Sequence, residues 1–232
     1  MLPRMSDPNL GKRAAARAAA DLVQSGMKLG LGSGSTFLFA LERLAERIRS
    51  NKLQIVGVPT SNGTADAARR LGVPITTLDE VERLDLAIDG ADEIDGNKAM
   101  IKGGGAALVR EKIVAAAAKE MIVVVDSGKL VAVLGRKFLL PVEVLPFGWK
   151  QTQRAVAATG CTVARRQLQD QSPLVTDNGS FILDCKYDGI GEPARLHARL
   201  CSLPGVVDCG LFVGMAGRVF VGAADGAVRI LP

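Results

Sequence analysis

Between residues 84 and 113 the sequence LDLAIDGADEIDGNKAMIKGGGAALVREKI gathers aspartates, a lysine, three consecutive glycines and a glutamate. Asp89 and Asp92 fall at and just past the end of an apolar run, residues 84–88, broken only by Asp85, that reads as a buried strand. Lys102, Gly103, Gly104 and Gly105 then lead into a helical stretch that carries Glu111. Strand ends and helix starts are where open α/β sheets take ligands, because backbone N–H groups and the helix dipole both favour an anion. The segment therefore suits an anionic, hydroxyl-rich molecule, with acid–base groups at hand. The turn Asp89-Gly90-Ala91-Asp92-Glu93 has three uses open to it: Mg²⁺ binding, a grip on sugar hydroxyls, or helix capping with surface charge. A divalent cation favours converging carboxylates with no lysine among them, so Lys102 points instead to stabilisation of an organic oxyanion. Glu111 keeps two readings. Flanked by Arg110 and Lys112 it is an ordinary solvated glutamate; with Leu108, Ile113 and Ala116 facing the core, it is a base facing the strand end.

A second turn, GLGSGST, follows a short apolar run and opens a helix. Its glycines allow backbone N–H groups to face an anion, and Ser33, Ser35 and Thr36 add hydroxyls around Gly34. Gly30, Gly32 and Gly34 lack the spacing of a dinucleotide fingerprint, and the Gly-Lys-Ser/Thr of a P-loop is absent. A small phosphate fits better; a tight turn without a ligand is the other reading.

These residues need a scaffold of strands and helices. The chain has 232 residues and is 48% hydrophobic, enough for one large or two small domains with a sizeable core. Residues 10–24, capped by Asp7 or Asn9, 37–48, a stretch opened by TSNGTA (60–65) and running to about 71, and 106–120 read as helices. Residues 28–31, 54–58, 73–77, 84–88 and 121–125 read as strands between them, an alternation that implies a mostly parallel sheet with helical crossovers. After Lys129 the pattern changes: strands at 142–145, 162–165 and 181–186, a hairpin signal at Asn178-Gly179, and helices at 150–159 and 193–202. Residues 133–207 thus read as a small α+β domain, and 1–132 with 208–232 as the main one, with strands at 206–212 and 219–223 returning to the main sheet.

Several classes are disfavoured. Twenty-nine basic against 24 acidic residues give +5, yet the charges are scattered and aromatics are 4%, so nucleic-acid binding is not expected. A modest positive potential helps to steer a phosphorylated substrate. Cys161, Cys185, Cys201 and Cys209 form no CxxC pair, and the single histidine, His197, stands outside any CxH or HxxxH pattern. Buried free thiols are expected rather than a zinc site, with His197 structural or at the surface. The first residues lack the apolar core of a signal peptide, and no apolar run reaches the roughly 18 residues of a membrane span. A soluble, cytoplasmic protein is expected.

In these blocks the chain resembles the ribose-5-phosphate isomerase type A family. The resemblance rests on GSGST (32–36), IDGADEID (88–95), KGGGAALVREKI (102–113), VVDSGK (124–129), LPVEVLPF (140–147), TDNGSFILD (176–184) and LPGVVDCGLF (203–212), in family order over almost the whole chain. It implies an α/β fold: a Rossmann-like, mostly parallel sheet with helices on both faces, plus a smaller α+β, ferredoxin-like domain. It implies the interconversion of D-ribose 5-phosphate and D-ribulose 5-phosphate through a cis-enediolate in the non-oxidative pentose phosphate pathway. It assigns Glu111 as the base, Lys102 as the partner of the enediolate oxygen, Asp89 to ring opening and Asp92 to the sugar hydroxyls or a water. Ser33, Gly34, Ser35, Thr36 and Lys129 would bind at the phosphate end, with Gly90, Ala91, Gly103, Gly104 and Gly105 lining the site and Lys12 a weaker candidate. No metal or organic cofactor is implied, and the assembly would be a homodimer or homotetramer. Ser33 stands where the family commonly has threonine, which keeps a hydroxyl, and Ser127-Gly128 replace a common Glu-Ser before Lys129. An amino-sugar-phosphate isomerase/deaminase would need a ring-opening histidine in the site, and a sugar-phosphate sensor of a transcription regulator would carry a helix-turn-helix; neither is present in the sequence.

Overall fold

A computed structural model describes residues 7–232, which fold into two compact units. In chain order the elements are α1 (Leu10–Asp21), β1 (Lys28–Leu31), α2 (Ser35–Arg49), β2 (Val56–Pro59), α3 (Asn62–Leu71) and β3 (Leu86–Gly90). Then come β4 (Glu93–Ile94), β5 (Met100–Ile101), α4 (Leu108–Ala117), β6 (Met121–Asp126), β7 (Leu140–Val144), α5 (Trp149–Ala157) and β8 (Thr162–Arg165). The last are β9 (Phe181–Lys186), α6 (Pro193–Cys201), β10 (Val206–Cys209), β11 (Leu211–Phe212), β12 (Ala216–Gly222) and β13 (Val228–Leu231).

The first unit comprises the chain up to Gly90, Ile113–Lys129 and Ala216–Pro232. Its six-stranded sheet runs β13-β12-β6-β3-β1-β2, parallel except for β13. Side chains alternate across a strand, so Leu29, Leu31, Leu86, Ile88, Ile122 and Val124 pack with α1, α2 and α3 in one core cluster. In α2 the apolar residues Phe37, Ala40, Leu41, Leu44 and Ala45 recur at helical spacing and are all buried; full burial of a Phe or Leu contributes about 1.5–3 kcal/mol. Gly30 sits on the opposite face, where a Cβ would clash with Val114 of α4 and lie 2.9 Å from Ala87 Cβ. Helices thus cover both faces. Helix α1 lies on β12 through a glycine pair: a Cβ on Gly222 would overlap the backbone of Gly11, and one on Gly11 would lie 2.7 Å from the Ala223 carbonyl oxygen.

The second unit comprises Ala91–Lys112 and Leu130–Met215. Its β7-α5-β8-β9-α6-β10 succession builds an antiparallel sheet in the order β10-β7-β9-β8, the split β-α-β-β-α-β pattern. Leu140, Val142, Val144, Leu183 and Cys185 of this sheet form its core with Val156 and Leu200 from the two helices. A three-stranded sheet, β11-β5-β4, completes the unit.

The expected elements differ in places. The strand at 73–77 reduces to one bridge, Gly57 to Ile75. The helix at 10–24 ends at Asp21, with Asn9 at its N-cap but no side-chain cap bond, and the helix at 106–120 spans only Leu108–Ala117. The stretch 206–212 breaks into β10 and β11, which join sheets of the second unit rather than the parallel sheet; only β12 and β13 return there. Residues 91–112 and 208–215 accordingly group with the second unit, so the boundaries expected at 133 and 207 fall inside it.

Candidate active site

In the first unit, β1 delivers Gly32 against β3. The Gly32 N–H donates to the Ile88 carbonyl at 3.0 Å, and a Cβ at Gly32 would overlap the Asp89 carboxyl group. Only glycine therefore lets the turn pass this closely. Asp89 is 3% exposed, and its Oδ1 accepts from the backbone N–H of Ser33 (3.0 Å) and of Gly90 (2.7 Å). Gly34, with φ +87°, is the N-cap of α2, and Ser35 begins the helix. The first N–H groups of a helix have no intrahelical acceptor and carry the positive end of its dipole; the first turn of α2 holds no acidic side chain. Gly34 and Ser35 are exposed, Thr36 half-buried, and Thr36 Cβ lies 3.9 Å from where a Cβ on Gly90 would be. Lys129 is half-buried in the turn after β6, in which the Gly128 N–H donates to Asp126 at 2.9 Å.

The Ser33 hydroxyl does not face outward with the others. It lies 2.8 Å from Thr60 Oγ1, 2.9 Å from Ser61 Oγ and 3.1 Å from Thr64 Oγ1. Thr64 in turn donates to the Gly32 carbonyl at 2.8 Å, and Ser61 caps α3 by accepting the Thr64 N–H. This hydroxyl cluster ties the β1 turn to the start of α3. Its sequence signal was the TSNGT turn, which follows β2 as GSGST follows β1.

In the second unit, Lys102 and Glu111 are 3% and 6% exposed, and Lys102 Nζ lies 3.3 Å from Glu111 Oε2. The solvated reading of Glu111 is thereby overturned: the first turn of α4 turns it inward, while Arg110 and Lys112 turn elsewhere. Arg110 donates to Asn178 Oδ1 and to the Asp177 carbonyl, and Lys112 pairs with Asp208 at 2.5 Å. Lys102 also lies 5.5 Å from the centre of the Phe212 ring, and its N–H donates to the Gly210 carbonyl at 2.9 Å. The triple glycine bends the chain between these two groups. Gly103 has φ +103° and Ala106 φ +60°, and a Cβ at Gly104 would lie 2.9 Å from Asp92 Oδ1. Asp92 Oδ2 accepts the Gly104 N–H at 2.8 Å, while Gly105 has open space around it and Ala91 is half-buried.

Several positioning residues were not legible in the sequence. Arg166 donates to the Gly103 and Gly104 carbonyls at 3.0 and 2.9 Å and is held by Asp184. Glu93, 2% exposed, accepts backbone N–H groups from Gly135, Lys137 and Phe138. Glu143, fully buried, accepts from Thr176 Oγ1 and Asn178 Nδ2, and so holds the turn to which Arg110 docks. Burial pushes the Glu143 carboxyl up from its ordinary range, against the hydrogen bonds from Asn178 and Thr176. Lys12 lies in the first turn of α1.

The first unit is a parallel sheet with an anion-ready helix start, and the second carries a buried lysine–carboxylate pair; each by itself is a feature of α/β enzymes of acid–base chemistry. Comparison with known proteins narrows the class. The profile of ribose 5-phosphate isomerase A (phosphoriboisomerase A) matches residues 56–226. Ribose-5-phosphate isomerase A 1 of Oceanobacillus iheyensis is 48% identical over 95% of this chain and 98% of its own length. Ribose-5-phosphate isomerase A of a Synechococcus strain is 51% identical over 93% and 94%. Among solved structures, a D-ribose-5-phosphate isomerase in complex with phospho-erythronic acid superposes with a TM-score of 0.91 at 38% identity, covering 95% of this chain and 96% of that one. Ribose 5-phosphate isomerase A of Methanocaldococcus jannaschii gives 0.91 at 39%, covering 96% and 98%. The chain belongs to the ribose 5-phosphate isomerase A family.

Proposed function

We propose that this chain isomerises D-ribose 5-phosphate and D-ribulose 5-phosphate reversibly, as an aldose–ketose isomerase of the non-oxidative pentose phosphate pathway, with Glu111 as the base. The observation that carries the assignment is the buried Lys102–Glu111 pair at 3.3 Å. Asp89 assists opening of the furanose ring and Asp92 holds sugar hydroxyls. Glu111 removes the proton from C2 of the open-chain aldose, the C1 carbonyl electrons become an enediolate oxygen, and the Lys102 ammonium stabilises that charge. Return of the proton to C1, with transfer of the O2 proton to O1, gives the ketose and leaves Glu111 ionised again. A fixed ammonium stabilises the oxyanion without solvent having to reorganise. The exposed first turn of α2 is the phosphate anchor, through Gly34, Ser35 and Thr36, with Lys129 beside it in role; Ser33 contributes by fixing the turn, its hydroxyl being engaged with Thr60, Ser61 and Thr64. Phosphate binding remote from the reacting carbons fixes them against the base.

Among the described residues no helix is long and apolar enough to cross a membrane. The assembly is a homodimer or homotetramer working in the cytoplasm; the exposed Leu145 and Phe147, the latter 94% exposed, supply apolar surface for a subunit contact.

The test is a coupled assay for ribulose 5-phosphate, without added metal and with EDTA, on the wild type and Glu111→Gln. Undiminished turnover of the wild type in EDTA and a loss of about 10²–10⁴-fold in the variant are expected. Full activity of Glu111→Gln would remove the base from Glu111. Phospho-erythronic acid, the ligand of the solved relative, carries a carboxylate in place of an enediolate and is expected to compete with substrate.

A further inference from the structure

Helix α6 and the strand after it bring together four side chains with metal-ligand chemistry. His197 and Cys201 stand four residues apart on α6 and so share one face. Asp208 and Cys209 are neighbours on β10, and neighbours on a regular strand point to opposite sides. The register of β10 against β7 shifts between Val206 and Asp208, and such an irregularity re-aims side chains. One ligand atom from each of the four lies within 4.8 Å of all the others. Nδ1 of His197 is 3.3 Å from Sγ of Cys209, 3.7 Å from Sγ of Cys201 and 3.9 Å from Oδ1 of Asp208. Sγ of Cys201 is 3.4 Å from the same Oδ1. Zinc bonds of about 2.3 Å to sulfur and about 2.0–2.2 Å to nitrogen or oxygen place the corners of a tetrahedron roughly 3.4–3.8 Å apart. The four measured edges fall on that scale.

We propose that His197, Cys201, Asp208 and Cys209 form a tetrahedral site for a zinc-like divalent cation, which fastens α6 to β10 within the second unit and takes no part in the isomerisation. The donor set, two sulfurs, an imidazole and a carboxylate, selects a borderline-soft cation over Mg²⁺ or Ca²⁺. Its charge balance is favourable. Two thiolates, one carboxylate and a divalent cation sum to −1, and the Lys112 ammonium, 2.5 Å from Asp208 Oδ1 and 2.7 Å from the Cys209 carbonyl oxygen, offsets it. Ligating carboxylates are themselves commonly hydrogen-bonded in this way. Binding releases the two thiol protons. Cys209 is buried and Cys201 exposed, so the cation enters from the α6 side. The spacing His-x3-Cys-x6-Asp-Cys matches no common zinc pattern, which is why the sequence argued against such a site; the helix and the shifted strand supply the convergence.

The experiment uses the full chain, reduced with a phosphine, freed of metal by chelator, and titrated with Co²⁺ and then Zn²⁺. One equivalent of Co²⁺ per chain is expected, with thiolate-to-cobalt charge-transfer absorption, strong tetrahedral d–d bands, release of two protons and displacement by Zn²⁺. Cys201→Ser, at an exposed position, should keep wild-type isomerase activity, which reports on its fold, yet bind at least 100-fold more weakly; Cys161→Ser should bind like the wild type. Absence of the charge-transfer band at millimolar Co²⁺ would overturn the proposal. So would unchanged binding by Cys201→Ser, or a Cys201–Cys209 disulfide that forms with Zn²⁺ present in excess.

Discussion

Replacing Gly210 by alanine tests how rigidly the fold holds Lys102. Gly210 lies between β10 and β11, accepts the Lys102 N–H at 2.9 Å and donates to the Pro141 carbonyl at 2.7 Å. A Cβ there would overlap the Lys102 carbonyl oxygen, and would lie 2.9 Å from Pro141 Cδ and 3.3 Å from the Pro141 carbonyl oxygen. The first obstacle is backbone, so no side-chain rotation relieves it, and the strands must part by about 1 Å to reach ordinary contact distance. Weakening two backbone hydrogen bonds costs about 1 kcal/mol each, and local overpacking adds about 1–3 kcal/mol. A destabilisation of about 3–5 kcal/mol lowers Tm by roughly 6–20 °C in a chain of this size. The same displacement carries Lys102 away from Glu111, and misplacement of a reacting group by about 1 Å costs on the order of 10²-fold in rate. Thermal unfolding by circular dichroism and kcat from the coupled assay read the two effects separately. Gly191→Ala, at a position with nothing within 4 Å of the new methyl, should leave both unchanged. A Gly210→Ala protein with wild-type Tm and kcat would refute the claim that close backbone approach places the lysine.

Gly32→Ala should give a folded protein with kcat/KM reduced about 10–100-fold, because the new methyl displaces the Asp89 carboxylate from the Ser33 N–H; circular dichroism and the coupled assay check it. Arg166→Lys keeps the charge but loses the planar fork that joins the Gly103 and Gly104 carbonyls to Asp184; steady-state kinetics should show a rise in KM and a fall in kcat of about tenfold combined. Glu46 is held down to about 2 by hydrogen bonds from Arg17 and then Arg43, against an ordinary value of 4.5. A depressed carboxylate stabilises above its unfolded pKa and loses that contribution as pH falls toward 2. Since the group is 41% exposed, the effect is under about 1 kcal/mol, and the Tm deficit of Glu46→Gln relative to wild type should be level above about pH 5 and shrink as the pH falls from there toward 2.

Local chemistry was legible where the signal was local. The apolar runs ending at Asp89 and Val125 announced buried parallel strands, and GSGST and KGGG announced turns, because strand burial and positive φ leave marks in neighbouring residues. The two-residue strands β4, β5 and β11 were not legible, since two residues carry no period and β5, besides its near neighbour β4, pairs with β11 over a hundred residues on. Arg166 was hidden for the same reason: its carbonyl partners lie more than sixty residues back along the chain. Ser33 shows the opposite failure. Its type suggested a phosphate donor, but three other hydroxyls compete for it, and only the fold decides between them.

The glycine pair beneath α1 bears on the order in which the molecule is made. Gly11 leaves the ribosome about two hundred residues ahead of Gly222, yet α1 has its seat on β12 only when the two backbones touch. The growing chain therefore carries a helix with buried-type alanines, Ala15, Ala16, Ala19 and Ala20, and part of their cover, β12, is synthesised only about two hundred residues later. Contacts of such long range are costly in loop-closure entropy and form late. The second unit, whose ferredoxin-like sheet is complete by β10, has no need to wait, so nascent chains truncated near residue 215 should protect β7–β10 from hydrogen exchange while leaving α1 open.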